Sequence, residues 1–401
     1  MEFNKISEQD RMQVEELWDY CFEKREEPFF QYYFQHYCFE HNTVWGAQQE
    51  GRLQSMLHLN PYVLALRGRE QNIPYVVGVA TAEVARGKHL MGELLQACFS
   101  ALRKQGTDFV YLMPIYAGIY LPYGFSFCYE RLKYSWAKGQ LSLPELKQAR
   151  EGYSISAGNI SVADSRLEAV LGELYSKYIM EIHGAARRSK QDWQKLLGVY
   201  AGDGFRYALV SRGGAFVGYL LYGVQENCVN LVELVSLEPQ AKLELLAYAE
   251  GLEVEAERCE WLAEAWDKTY LGFKDATQAP QSLPFMMARC LNVVEALRGL
   301  RPEQSLNGEL VMRVEDGLLS ENSCVVAISC SNGAINTAVE CENELTADVN
   351  MDIAVFTQLY FGLLNATELA EAGRLAYRDT SKLKFLDELL PKKKNWINEY
   401  Y

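Results

Sequence analysis

The chain has 401 residues, 49% hydrophobic and 23% charged, and its 53 acidic against 39 basic residues give a formal charge of −14. That size predicts two or three domains rather than one core. No apolar run approaches the ~18 residues of a membrane span, and the negative charge repels phosphate backbones while attracting cationic molecules, so neither membrane nor nucleic acid is an expected partner. The opening MEFNKISEQDRMQ lacks the basic-then-apolar order of a secretory signal, so cytoplasmic residence is expected. Ten cysteines run from Cys21 to Cys341 without a C-x-x-C pair; they read as small buried hydrophobes, and no metal site is expected.

In chain order, Val14, Leu17, Trp18, Cys21 and Phe22 recur at helical spacing and Pro28 interrupts them, which predicts two opening helices. Strands follow at 43–47, 53–59, 62–66 and 74–81, read together as an antiparallel meander. Leu90, Leu94, Leu95, Cys98, Phe99 and Leu102 form one apolar stripe of a helix that Gly106 can close. A strand at 108–113 precedes IYAGIYLPYGF, which reads as a helical turn broken by Pro122 and Gly124. A long alternating strand is predicted from Phe125 to Trp136. A weaker copy of this order comes later, with a hairpin in YALVSRGGAFVGYLLYGV and a strand, turn and helix in NLVELVSLEPQAKLELLAYAEGL. Its turn, SLEPQAK, carries a carboxylate and a proline, so an anion is less welcome there. From about Leu283 the pattern changes to a helical MMARCLNVVEALRGL, the strands ELVMRVED and CVVAISCS and a helical tail, assigned to a third α/β domain. The domains are expected at 1–145, 146–284 and 285–401.

The segment VVGVATAEVARGKHLMGELLQACF runs from a strand through a basic, glycine-containing turn into an amphipathic helix. Amides at a helix start have no internal partners and sit at its positive end, so a pyrophosphate can accept from them, with Arg86 and Lys88 adding charge. The same residues also read as a solvated basic turn. A phenol, protonated at neutral pH, can hold a proton for a departing anion. Tyr116, Tyr120 and Tyr123 are candidates, although among 25 tyrosines packing is the usual role. The aromatic ending NWINEYY, after KKK, reads as a docked tail with or without chemistry.

The strand-turn-helix resembles the GNAT acetyltransferases, whose R/Q-x-x-G-x-G/A turn is matched by RGKHLM at 86–91; Arg86 fits, while His89 and Met91 replace the two small residues. GIYLPYGF is similar to the G-I-Y-x-x-F/Y-G-F/Y motif of the Eis-like (enhanced intracellular survival) family. The resemblance implies an α/β (α+β) architecture of tandem GNAT folds, the second degenerate, followed by a sterol-carrier-protein-like domain. It implies acetyl-CoA as co-substrate, with Val79, Ala80 and Thr81 pairing their backbone with pantetheine. Arg86, Gly87, Lys88, His89, Leu90, Met91 and Gly92 would cradle the pyrophosphate, and Ile115 and Tyr116 would touch the cofactor. Tyr120 takes the place of the general acid, and the α-carboxylate of Tyr401 would enter the first domain's site to act on the amine. An amine acceptor is implied, a cationic small molecule (aminoglycoside-like or polyamine) or a lysine side chain. Glu26 and Glu27, beside the aromatic run PFFQYYFQHYCF, would favour a polycation. A homo-oligomer, a hexamer in the family, is implied too. The competing reading is a non-catalytic protein in which His89 marks a decayed CoA site and the third domain holds an apolar ligand.

Overall fold

The computed structural model describes residues 1–142, 152–161, 163–275, 279–341 and 346–400, with backbone alone for 336–341. The chain forms two compact units, one of Met1–Tyr129 with Phe285–Tyr401 and one of Glu130–Pro284.

The first unit opens with β1 (Glu2–Lys5), α1 (Arg11–Cys21), α2 (Pro28–His36), β2 (Thr43–Gln49), β3 (Arg52–Asn60), β4 (Val63–Leu66), β5 (Arg69–Asn72), β6 (Tyr75–Thr81), α3 (Leu90–Lys104), β7 (Phe109–Leu112) and β8 (Ser126–Phe127). The two expected helices are there, burying Val14, Leu17 and Trp18 on α1 and Phe30, Tyr33 and Phe34 on α2. Pro28 starts α2 instead of breaking a helix, since its missing N–H costs nothing at a first turn. Two strands had no sequence signature. β1 (EFNK) is ordered by antiparallel pairing with β2, from Glu2↔Gln48 to Lys5↔Trp45, and β5 (REQN) by pairing with β4. The expected meander is therefore interrupted: β4 and β5 form a separate hairpin, and β6 returns to pair with β3.

The second unit contains β9 (Glu130–Ala137), β10 (Tyr153–Asn159), α4 (Ser165–Tyr178), α5 (Lys190–Gly202), β11 (Arg206–Arg212), β12 (Ala215–Gln225), β13 (Cys228–Ser236), α6 (Pro239–Glu250), β14 (Arg258–Glu264) and β15 (Gln281–Pro284). Its sheet runs β10-β11-β12-β13-β14-β9-β15. The predicted hairpin and strand-turn-helix are β11–β12 and β13–α6. Arg188 and Glu233, both fully buried, form a two-point ion pair at 2.8 and 2.6 Å, with Tyr219 donating to the same carboxylate at 2.6 Å. These partners leave that buried charge compensated.

The chain then rejoins the first unit with β16 (Met287–Cys290), α7 (Val293–Arg298), β17 (Gly308–Glu315), β18 (Cys324–Ser331), β19 (Ala334–Cys341), β20 (Val349–Asp352), α8 (Ile353–Phe361), α9 (Ala366–Glu371), β21 (Ala376–Tyr377) and α10 (Thr380–Leu389). The first sheet runs β1-β2-β3-β6-β7-β16-β8, and β17–β21 make a separate sheet ordered β19-β18-β17-β20-β21. Two expectations are corrected here. The single strand over 125–136 is divided between β8 in one sheet and β9 in the other. The helix over MMARCLNVVEALRGL is half strand: Met287–Cys290 insert between β7 and β8, and the helix starts at Val293 behind an Asn292 cap. Buried on both faces, β16 shows no alternation that could have revealed it.

Arg67, in the β4–β5 turn, reaches α8. Its guanidinium donates to the carbonyls of Leu359, Tyr360 and Pro391, supplying acceptors at a helix end with the donors they lack.

Candidate active site

Antiparallel to β3, β6 carries one extra residue, because Met56 faces Ala80 while His58 faces Val77. The bulge contains Gly78 at φ +58°, where a Cβ would lie 2.3 Å from a Trp18 ring carbon, so the position requires glycine in both conformation and space. On its other side β6 meets β7 in parallel at one pair, Tyr75↔Tyr111. Beyond that vertex the strands part. Val79, Ala80 and Thr81 lie on the separated stretch, whose backbone edge toward β7 has no strand partner among the described residues.

After β6 the chain makes a short 3-10 turn at Glu83–Ala85 and then an exposed run from Arg86 to His89. Arg86 donates to the Thr81 carbonyl at 3.3 Å and lies over the Tyr20 ring at 5.6 Å, which fixes it beside the end of the strand. Gly87 and His89 both have positive φ, +75° and +60°. His89 is the N-cap of α3 but makes no side-chain cap, and the amides of Leu90 and Met91 have no acceptor among the described residues. The turn therefore has the backbone shape a glycine would give it, at a cost of about 1 kcal/mol for the histidine Cβ. Its free amides at the positive end of a 15-residue helix, with Arg86 and Lys88 alongside, fit a pyrophosphate. Gly92 is needed for another reason: a Cβ there would come within 2.9 Å of the Tyr123 ring.

That contact joins the helix start to the segment following β7. Ile115 and Tyr116 are largely exposed, and two 3-10 turns, Ala117–Ile119 and Leu121–Tyr123, flank Tyr120. The segment is clamped from behind. The fully buried Arg289 of β16 donates to the Tyr123 carbonyl at 2.6 Å and to both oxygens of Asp316 at 2.7 Å. A Cβ on Gly124 would lie 2.1 Å from that guanidinium. The Tyr120 ring meets Phe125 edge-on at 5.8 Å, its hydroxyl has no hydrogen-bond partner among the described residues, and burial pushes its phenol up to about 12. The group stays protonated throughout the physiological range.

The C-terminal segment is held by the same unit. Asn395 donates to the Cys128 carbonyl, residues 396–399 are buried, and the Tyr400 carbonyl accepts from the Tyr75 hydroxyl at 3.0 Å. Tyr400 meets Phe285 edge-on at 5.6 Å, and Tyr75 stacks on Tyr111 at 4.6 Å. Tyr401 lies outside the described residues. Its neighbour reaches the residue pair where β6 and β7 diverge. Sequence reasoning missed Tyr75, Arg289 and Asp316, all buried, because their partners lie 166 residues or more away in two of the three cases and no local pattern marks them. Glu26 and Glu27 are exposed between α1 and α2, where Glu27 accepts from the Lys24 amide at 2.9 Å. Among the described residues no group of three or more His, Cys, Asp or Glu could hold a metal, and no helix is long and apolar enough to cross a membrane.

Comparisons with known proteins follow the same division. A family profile described as "Acetyltransferase (GNAT) domain" matches residues 2–128, a second of that description matches 184–290, and "Sterol carrier protein domain" matches 293–398. No protein of curated function matches by sequence. Among solved structures the chain is similar to a probable N-acyltransferase of unknown function from Enterococcus faecalis, at 19% identity and TM-score 0.86, covering 100% of this chain and 99% of that one. It is similar to a GCN5-related N-acetyltransferase from Anabaena variabilis at 17% identity and TM-score 0.82, covering 100% of both chains. Eis1 from Mycobacterium abscessus aligns at 17% identity and TM-score 0.71 over 89% of this chain and 90% of that one. The protein is an N-acetyltransferase built of tandem GNAT domains and a sterol-carrier-like domain, the Eis-like architecture.

Proposed function

We propose that the chain moves the acetyl group of acetyl-CoA to an amine of a cationic acceptor, an aminoglycoside-like or polyamine small molecule or a lysine side chain, with Tyr120 and the Tyr401 carboxylate as its catalytic groups. The observation that carries the reading is the seating of the tail, whose Tyr400 carbonyl is bonded to Tyr75 where β6 and β7 part. Val79–Thr81 would hold pantetheine by main-chain pairing, residues 86–92 the pyrophosphate, and Ile115 and Tyr116 the cofactor's outer face. The left-handed turn at His89 supports a working phosphate loop over a decayed one.

Tyr120 would serve the departing sulfur. A phenol near 12 is a weaker acid than a thiol near 8.5 in water, so the hydroxyl acts first as a hydrogen-bond donor. Its proton crosses as the carbon–sulfur bond breaks, in surroundings that raise a thiol as they raise the phenol. A terminal carboxylate of pKa about 3.5 is a poor base for an ammonium near 10. Tyr401 would therefore orient the amine and stabilise the cation that develops on it, while water takes the proton. The net charge of −14 and the exposed Glu26 and Glu27 support a cationic acceptor. Cytoplasmic residence and a homo-oligomer, hexameric by the resemblance, belong to the same reading.

The test is CoA release from acetyl-CoA across a panel of polyamines, aminoglycosides and lysine peptides, by the chain ending at Tyr401 and by one carrying added residues after it. The extended chain should fold and bind acetyl-CoA but release no CoA. Full activity in it would refute the terminal role.

A further inference from the structure

Tyr75 is 2% exposed and needs no hydroxyl to pack. Its ring is stacked on Tyr111 at 4.6 Å with 10° between planes, and Tyr62 meets it edge-on at 6.0 Å. Tyr111, in the same stack, has a buried hydroxyl with no hydrogen-bond partner among the described residues, so stacking alone suffices to seat a ring here. The Tyr75 hydroxyl does something further: it donates to the main-chain carbonyl of Tyr400 across 325 residues of chain. A buried hydrogen bond of this kind sets the height of a backbone, whatever side chain the backbone carries.

Two of the contacts that secure the tail lie far apart in the first sheet. Asn395 bonds to the carbonyl of Cys128, just beyond β8, and Tyr400 to Tyr75 at the start of β6. Between them Trp396, Ile397, Asn398 and Glu399 are all at or below 3% exposure. Burial holds the Tyr111 phenol well above its ordinary value, and the nearby Tyr62 and Glu399 add to it. The Tyr75 bond acts directly on the peptide next to the terminus. We propose that Tyr75 is a positioning residue for the terminal carboxylate: by fixing the Tyr400 carbonyl at the β6–β7 vertex it holds the peptide from which that carboxylate acts. This rests on the terminal role given to Tyr401 above.

The experiment is a cycle of four proteins: the parent chain, Tyr75→Phe, the chain lacking Tyr401, and both changes together. Turnover, KM for acetyl-CoA and melting temperature are measured for each. Removal of Tyr401 should cripple turnover. Tyr75→Phe in the parent chain should lower kcat about tenfold, the loss of one buried hydrogen bond, with KM for acetyl-CoA within about twofold. In the chain lacking Tyr401 it should cost nothing further. Carboxypeptidase gives a readout independent of turnover: release of the terminal tyrosines should be several-fold faster in Tyr75→Phe. An unchanged kcat and digestion rate, or the same kcat loss in both backgrounds, would overturn the role of Tyr75 and leave that of Tyr401 intact. A fully active chain without Tyr401 would instead bring down the terminal role, and this inference with it.

Discussion

The two acetyltransferase domains build the same strand-turn-helix with opposite consequences for an anion. Both cleft strands are bulged, β6 at Gly78 and β13 at Val232, where Leu221 faces Glu233 but Tyr222 faces Leu231. Past the bulge they diverge. The first domain spends eight residues, 82–89, between strand and helix, exposing two cations and leaving the first amides of α3 open. The second spends two, Leu237 and Glu238, so a carboxylate bonded to Tyr153 and Arg212 stands at the N-cap of α6, without capping it, and Pro239 removes the first amide. It also keeps β13 and β14 paired over four residues, from Cys228↔Arg258 to Leu231↔Trp261, against one pair in the first domain. The opening it retains, about 350 Å³, contains the Lys242–Asp267 ion pair with Lys242 over Trp261. The bulge thus belongs to the fold, and the capacity for a phosphate belongs to the loop.

The largest test of this contrast is Tyr120→Phe, which should lower kcat by about a hundredfold or more with little change in KM for acetyl-CoA. Equal losses in both would make Tyr120 a packing residue and leave the first domain no more catalytic than the second. Because burial holds the phenol proton up to about 12, the parent rate should show no alkaline limb centred near pH 10. A limb there would contradict the dry setting of that hydroxyl. Next comes Gly78→Ala, which combines a left-handed backbone with a 2.3 Å clash and should cost about 3 kcal/mol in denaturant melts. Val232, outside the left-handed region, should tolerate alanine with a loss nearer 1 kcal/mol. Similar melts for the two variants would mean the bulges are not distinct.

Arg86→Ala combined with Lys88→Ala should weaken acetyl-CoA binding about tenfold, less at high salt, whereas Lys242→Ala should leave it unchanged. Calorimetry should find one acetyl-CoA per chain; two would erase the difference between the domains. The smallest effect is expected from His89→Gly, a gain of about 1 kcal/mol from relief of left-handed backbone, with acetyl-CoA still bound. A loss of stability would show that the imidazole makes contacts of its own.

What the sequence reveals here follows the range of the forces involved. The turn into α3 was readable because its parts are adjacent: a strand, Arg86 and Lys88, then a stripe from Leu90 to Leu102. Tyr120 became a candidate through the local spelling GIYLPYGF. The division between β8 and β9 had a faint local sign that the expected single strand passed over: the alternation changes phase at Glu130–Arg131, from Phe125, Phe127 and Tyr129 to Leu132, Tyr134 and Trp136, while the switch of sheet itself depends on strands more than 100 residues away. β1 and β5 carry almost no apolar signal and exist through their partners. Tyr75 looked like one tyrosine among 25, and nothing within ten residues of it points to the tail.

Chain order has a consequence for biosynthesis. β8 has no pairing partner until β16 arrives, and β7 reaches its neighbour on that side only through the same strand. On the ribosome the first sheet must therefore wait, on the order of ten seconds or more, while the whole second unit is made. During that time the β7 edge is open to other chains. A fragment ending near residue 128, where the first acetyltransferase match ends, would keep that edge permanently. The first acetyltransferase domain is consequently not a separable module, and its folding is completed by residues that a reader of the sequence would place in the next domain.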